Sequence, residues 1–114
     1  MLVDRQESLS LADLNQSLKV ISLPQALRDL TLGANFNQSL VGVKFPSSLE
    51  SLTFGMWFNQ SLEGVNLPCN LLKLTFGESF DQSLQGVKLP ESLSGQWFYW
   101  LFVFDFFLVF SSVF

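Results

Sequence analysis

The chain has 114 residues, a net charge of −4, no histidine and a single cysteine, Cys69. This length allows one domain with a modest core, and one cysteine excludes an internal disulfide. The missing histidine excludes catalytic triads and His-ligated zinc sites, and the lack of a basic cluster argues against a nucleic-acid partner. We therefore expect no catalytic residues, no metal, no cofactor and no small-molecule substrate.

A repeat of 22 residues organises most of the chain. Its glycines and the sequence Gln-Ser-Leu recur at a constant step, and so do the prolines, at Pro24, Pro46, Pro68 and Pro90. A fixed period of this length is typical of a solenoid, in which stacked coils bury the apolar face that one coil leaves exposed. We predict a mainly β, leucine-rich-repeat-like solenoid of about four 22-residue coils over residues 3–94.

Each coil is expected to carry two short strands. Leu52-Thr53-Phe54 alternates apolar and polar residues and stops at Gly55, and residues 62–67 alternate again before Pro68. Such alternation predicts half-buried strands, and proline ends a strand because it lacks the N–H of the ladder. Equivalent strands of neighbouring coils would pair in parallel at about 4.8 Å.

Repeated side chains predict columns along the stack. Leucine and phenylalanine columns point inward, and Asn15, Asn37 and Asn59 form a column whose side chains would hydrogen-bond from coil to coil. Asp81 interrupts that column, which indicates a frayed ladder or a more exposed end. In the first copy, residues 9–11 lie one residue out of phase with residues 30–32. We interpret that copy as an N-terminal cap or as a start within an array.

The repeated motifs resemble those of a known family. L-T-L-G-A-N-F-N-Q-S-L at residues 30–40 recurs with changes at 52–62 and 74–84. With the intervening Leu-Pro or Phe-Pro pairs, these motifs look like FNIP repeats, a relative of the leucine-rich repeat, in a divergent branch that carries Ser-Leu where the family name has Ile-Pro. The resemblance covers about residues 8–94. It implies a leucine-rich-repeat-like solenoid used for protein contacts, with no reaction chemistry.

The tail, residues 95–114, has a different composition. Its last 18 residues contain seven phenylalanines and one charged residue, Asp105. As a helix they would span about 27 Å, close to the thickness of a bilayer core. We consider three interpretations: a transmembrane helix that anchors the chain through residues 97–114, a cap packed over the open end of the solenoid, and a gene-model artefact. Since no signal peptide opens the chain, an artefactual tail implies a cytoplasmic protein and a genuine one a membrane protein.

We predict that the array is a non-catalytic scaffold for protein–protein interaction. The alternatives are a membrane-anchored structural protein with the repeats as a short soluble stub, and a fragment of a longer array without independent function. Cys69 is expected to be an ordinary exposed thiol, and the Asn-Gln-Ser triplets to be structural rather than glycosylated. The candidate interaction surface comprises variable outward residues, with Trp57 as the best anchor: Lys44, Met56, Trp57, Glu63, Asn66 and Lys88.

Overall fold

The computed structural model describes residues 6–93, 97–102 and 106–111. They form one sheet of order β1-β2-β3-β4-β6-β5, in which the first four strands are parallel. Two short 3₁₀ helices lie at Leu18–Val20 and Glu91–Leu93. The strands are β1 (Ser8–Leu11), β2 (Asp29–Leu32), β3 (Ser51–Thr53), β4 (Lys73–Thr75), β5 (Trp97–Phe102) and β6 (Phe106–Ser111).

The repeat becomes a solenoid with one strand per coil. Leu30, Leu52 and Leu74 pair in register across β2, β3 and β4, and all three are buried. Gly55 ends β3 where the coils come closest, since a Cβ there would lie 2.4 Å from the Gly33 carbonyl oxygen. The predicted fold class, a mainly β leucine-rich-repeat-like solenoid, is therefore correct.

The predicted second strand in each coil is wrong. Residues 62–67 form a turn, in which the Val65 N–H donates to the Leu62 carbonyl at 3.1 Å and Gly64 has a φ of +78°. The side chain of Ser61 supports this turn by accepting a hydrogen bond from the Glu63 N–H. Leu62 and Val65 are both buried because the chain reverses between them. The apolar spacing that predicted an extended strand therefore belongs to a turn.

Stacked aromatic rings fill the bend after the strands. The rings of Phe54 and Phe58 lie 4.0 Å apart between centroids, and those of Phe54 and Phe76 lie 5.4 Å apart. Phe36 and Phe80 continue the Phe58 column on either side, at centroid distances of 6.0 and 6.2 Å. All five rings are buried, and no polar or charged residue is buried in the described part of the chain. The inward columns predicted from the repeat are thus confirmed.

A polar ladder runs along the corner after these rings. The Asn37 side-chain oxygen accepts from the Asn59 N–H at 2.8 Å and from the Gln60 amide at 3.0 Å. Asn59 accepts in the same way from the N–H of Asp81, at 2.9 Å. The predicted asparagine ladder is therefore present, and it holds on the N–H side of Asp81, whose side chain is exposed.

The phase shift of the first copy has a simple structural form. Leu11 pairs with Leu32 at a step of 21 residues, whereas Asn15 contacts Asn37 at a step of 22. The first coil is therefore one residue shorter in the bend that follows its strand. This shortening keeps both its strand and its asparagine in line with the coils above.

The described parts of the tail are strands, so the predicted helix is wrong for them. β5 and β6 pair antiparallel, and β6 also pairs antiparallel with β4, with Thr75 opposite Val109. Aromatic and β-branched residues favour strands, and the edge of β4 offers open ladder groups to pair with. The cap interpretation predicts this position at the end of the stack. Asp105 lies outside the described residues. Among those residues, no helix has both the length and the apolar character needed to cross a membrane.

Candidate interaction surface

The six residues predicted to form an interaction surface are all exposed, but the fold places them in two regions. Met56 and Trp57 lie in the bend between β3 and Phe58. The other four lie around the turns that precede each proline. These turns and prolines form what we call the proline face, residues 19–25, 41–47, 63–69 and 85–91.

The exposed pair Met56 and Trp57 has a fixed backbone. Trp57 donates its N–H to the Ala34 carbonyl at 3.1 Å, and the Met56 carbonyl accepts from the Ser79 N–H, also at 3.1 Å. The bend is thus hydrogen-bonded to the coils on both sides. Its side chains nevertheless remain open, with 43% of Met56 and 56% of Trp57 exposed. An indole held in this way is presented to solvent with little backbone entropy left to lose on binding.

The same bend carries different side chains in the neighbouring coils. Residues 34–35 are Ala-Asn, and residues 78–79 are Glu-Ser. The flanking positions stay constant, since a glycine precedes and a buried phenylalanine follows the pair in all three coils. The scaffold therefore holds the bend in place while its exposed chemistry varies from coil to coil.

On the proline face, one column runs through Ser22, Lys44, Asn66 and Lys88. A cavity of about 600 Å³ lies between the first two coils, lined by Lys19, Lys44 and neighbouring residues. A second cavity of about 350 Å³ lies between the last two coils, and its lining includes Asn66, Cys69 and Lys88. The turns of this face therefore leave recesses between coils, whose charge depends on which residues occupy the columns.

An ion-pair ladder on the surface was missed from the sequence. The Arg28 guanidinium lies 3.0 Å from Glu50 Oε1 in the coil above and 3.5 Å from Glu7 Oε1 in the coil below. The hydrogen bond to Glu50 and its charge, followed by those of Glu7, raise the pKa of Arg28 above its ordinary value. Leu72 takes the next position in this column and ends the ladder. The steps of 21 and 22 residues between opposite charges could have revealed it.

Other residues with candidate chemistry have structural or ordinary roles. Asn37 and Asn59 use their side-chain oxygens within the ladder, as the structural interpretation predicted. Cys69 is exposed, as expected. In the part of the chain that the structure describes, no group of three or more Cys, Asp or Glu residues is arranged to hold a metal ion.

Comparisons with known proteins agree with this geometry. The model of the FNIP repeat family matches residues 15–56 and 58–94. The crystal structure of CroV588, described as a novel circular leucine-rich-repeat protein, shares 39% identity and a TM-score of 0.67 with this chain. That match covers 75% of this chain but only 13% of CroV588. No curated protein sequence matches.

Proposed function

This chain belongs to the FNIP repeat family, and we propose that its repeat scaffold is non-catalytic and binds another protein through the bend that carries Met56 and Trp57. The indole of Trp57 serves as the anchor. The charged and polar residues around it supply complementarity rather than most of the affinity, as is usual at protein interfaces.

One observation carries the proposal: an exposed tryptophan on a backbone that is hydrogen-bonded on both sides. Tryptophan is enriched at the centres of protein interfaces, where it fills a pocket on the partner. A bend already fixed by the coils next to it loses little freedom when the partner binds. Met56 adds a flexible thioether that adapts to the partner's surface.

The carboxylates of the described residues favour a binding role over catalysis. All of them are exposed except Glu50, which is half-buried and paired with Arg28. General acid–base catalysis uses groups whose surroundings shift their pKa values apart, usually by burial. The exposed acids of this surface lack such surroundings, and they suit a rim around the Trp57 anchor.

A double substitution taken from the chain's own repeat tests the proposal. Met56→Ala with Trp57→Asn gives the third coil the residues of the second, Ala34 and Asn35. Because those residues already occupy this bend, the fold should be retained. Proteins captured from the source cells by the unmodified chain and lost with this variant are then purified, and their Kd is measured directly. We expect the double variant to weaken binding by about 30-fold or more.

Leu72→Gln is the matched control. Leu72 is another exposed apolar residue, 41% accessible, in the ion-pair column rather than in the bend. Its loss should leave the Kd within about twofold, since surface changes away from an anchor have small effects. Equal binding by the chain and the double variant, or equal weakening by the control, would contradict the proposed anchor.

A further inference from the structure

The recess between the first two coils of the proline face differs from the rest of the surface in charge. We propose that it binds an acidic peptide segment, with carboxylates at Lys19 and Lys44 and an apolar side chain between them against Val20 and Ile21. This site goes beyond the proposed function, because it uses different residues from the Met56–Trp57 bend and a partner of defined chemistry.

The fold brings the two lysines to one cavity. Lys19 belongs to the first coil and Lys44 to the second, and both line the recess of about 600 Å³. The Lys19 side chain extends across Gly42, where a Cβ would lie 2.6 Å from Lys19 Cε and 3.1 Å from Nζ. A side chain at residue 42 would therefore displace this ammonium group, and glycine leaves room for it over the second coil.

The charge around the recess is positive although the chain as a whole is negative. Both lysines are exposed, and neither forms an ion pair among the described residues. The cavity lining contains no carboxylate, while the whole chain has a net charge of −4. The complementary ligand is therefore an anion, and carboxylates of a peptide supply two charges at adjustable spacing.

The apolar wall distinguishes a peptide from a bare anion. Val20 is 73% exposed at the edge of the cavity, and half-buried Ile21 also lines it. An extended peptide advances about 3.3 Å per residue, so alternate side chains would place acidic groups on either side of one apolar residue. Lysines act as point charges, whereas the planar fork that recognises phosphate in bidentate fashion belongs to arginine.

The equivalent recess between the last two coils lacks one of the charges. Asn66 and Lys88 line it, but the column of Lys19 continues as Val41, Glu63 and Gln85 in the later coils. Two lysines therefore meet at the first recess only, among the proline-face cavities described above. The same columns also supply conservative replacements, Gln at residue 19 and Asn at residue 44.

A random nine-residue peptide library, displayed and selected on the full chain and counter-selected on Lys19→Gln/Lys44→Asn, tests the site. We expect the selected peptides to be enriched in Asp and Glu around one apolar residue. In fluorescence anisotropy, the double variant should bind such a peptide at least about fivefold more weakly. Binding should also weaken as salt is raised, because the charges are exposed.

Lys73→Asp is the control, because it removes the same two units of positive charge and uses the residue that Asp29 places in that column. It should leave peptide affinity within about twofold, and so should Met56→Ala/Trp57→Asn, so that failure of this site is separable from failure of the proposed anchor. Selected peptides without acidic residues, or equal losses from both charge changes, would overturn the proposal. So would Lys19- and Lys44-dependent binding to phosphatidylserine vesicles without peptide binding, since the ligand would then be a membrane surface.

Discussion

The side-chain oxygen of Asn37 lies 2.8 Å from the backbone nitrogen of Asn59, one coil further along the stack. The contact repeats from Asn15 to Asn37 and from Asn59 to Asp81. A polar side chain thus replaces the β-ladder at a corner where the backbone is not in a strand. This explains why asparagine recurs there although it is uncommon in strands.

Asn37→Ala should destabilise the fold by about 1–2 kcal/mol, because the Asn59 N–H and the Gln60 amide lose their acceptor. Asn37→Asp keeps an oxygen in place, as the chain itself does at Asp81, and should cost less than about half as much. Urea denaturation of the two variants gives the comparison. Equal losses would show that the hydrogen bonds of the ladder do not carry the effect.

Phe58→Ala should cost about 3–5 kcal/mol, because it leaves a cavity among stacked buried rings. Phe58→Leu should cost clearly less, since Leu14 occupies the same column in the first coil. The free energies of unfolding from denaturant titrations measure both. An alanine variant as stable as the leucine variant is incompatible with a tightly packed bend.

Two glycines of the same coil should respond differently to alanine. At Gly64 there is open space around a Cβ but φ is +78°, so Gly64→Ala should cost about 1–2 kcal/mol. At Gly55 a Cβ would meet the backbone of Gly33, so Gly55→Ala should cost about 3 kcal/mol or more. Thermal unfolding of the two variants ranks them, and the reverse order would contradict the close packing of the coils.

The Arg28 ladder should contribute little to the dependence of stability on pH near neutrality. Its pKa is raised in the folded state, so its contribution is fully present below the unfolded pKa of about 12.5 and is lost only as pH rises through the higher folded value. Arg28→Gln should therefore lower the Tm by the same small amount at pH 6 and at pH 9, and 1 M NaCl should reduce that difference. A change in the effect of Arg28→Gln between those pH values would contradict this assignment.

The sequence was sufficient for the repeat, the buried columns and the asparagine ladder, because each is an identity that recurs at one fixed step. It was misleading at residues 62–67, where the spacing of Leu62 and Val65 suits a strand as well as a turn, and the left-handed conformation of Gly64 decides between them. The hydrophobicity of the tail indicated a helix, although its aromatic composition suits strands equally well.

The surface was harder to predict from the sequence. The Arg28 ladder depends on a 21-residue step below and a 22-residue step above, so a search at one period misses half of it. The lysine recess joins Lys19 to Lys44, which lie in different columns, and only the path of the Lys19 side chain across Gly42 brings them to one cavity. Such contacts depend on side-chain direction, which a repeat pattern does not specify.

The most direct test of the account places a photo-crosslinking p-benzoylphenylalanine at residue 57, with the same group at residue 35 as the control. The two positions are equivalent in consecutive coils, and Asn35 is exposed like Trp57. The account predicts that irradiation joins the captured partner to position 57 and not to position 35. Cross-links of equal yield at both positions, or at position 35 alone, would contradict a partner anchored on Trp57.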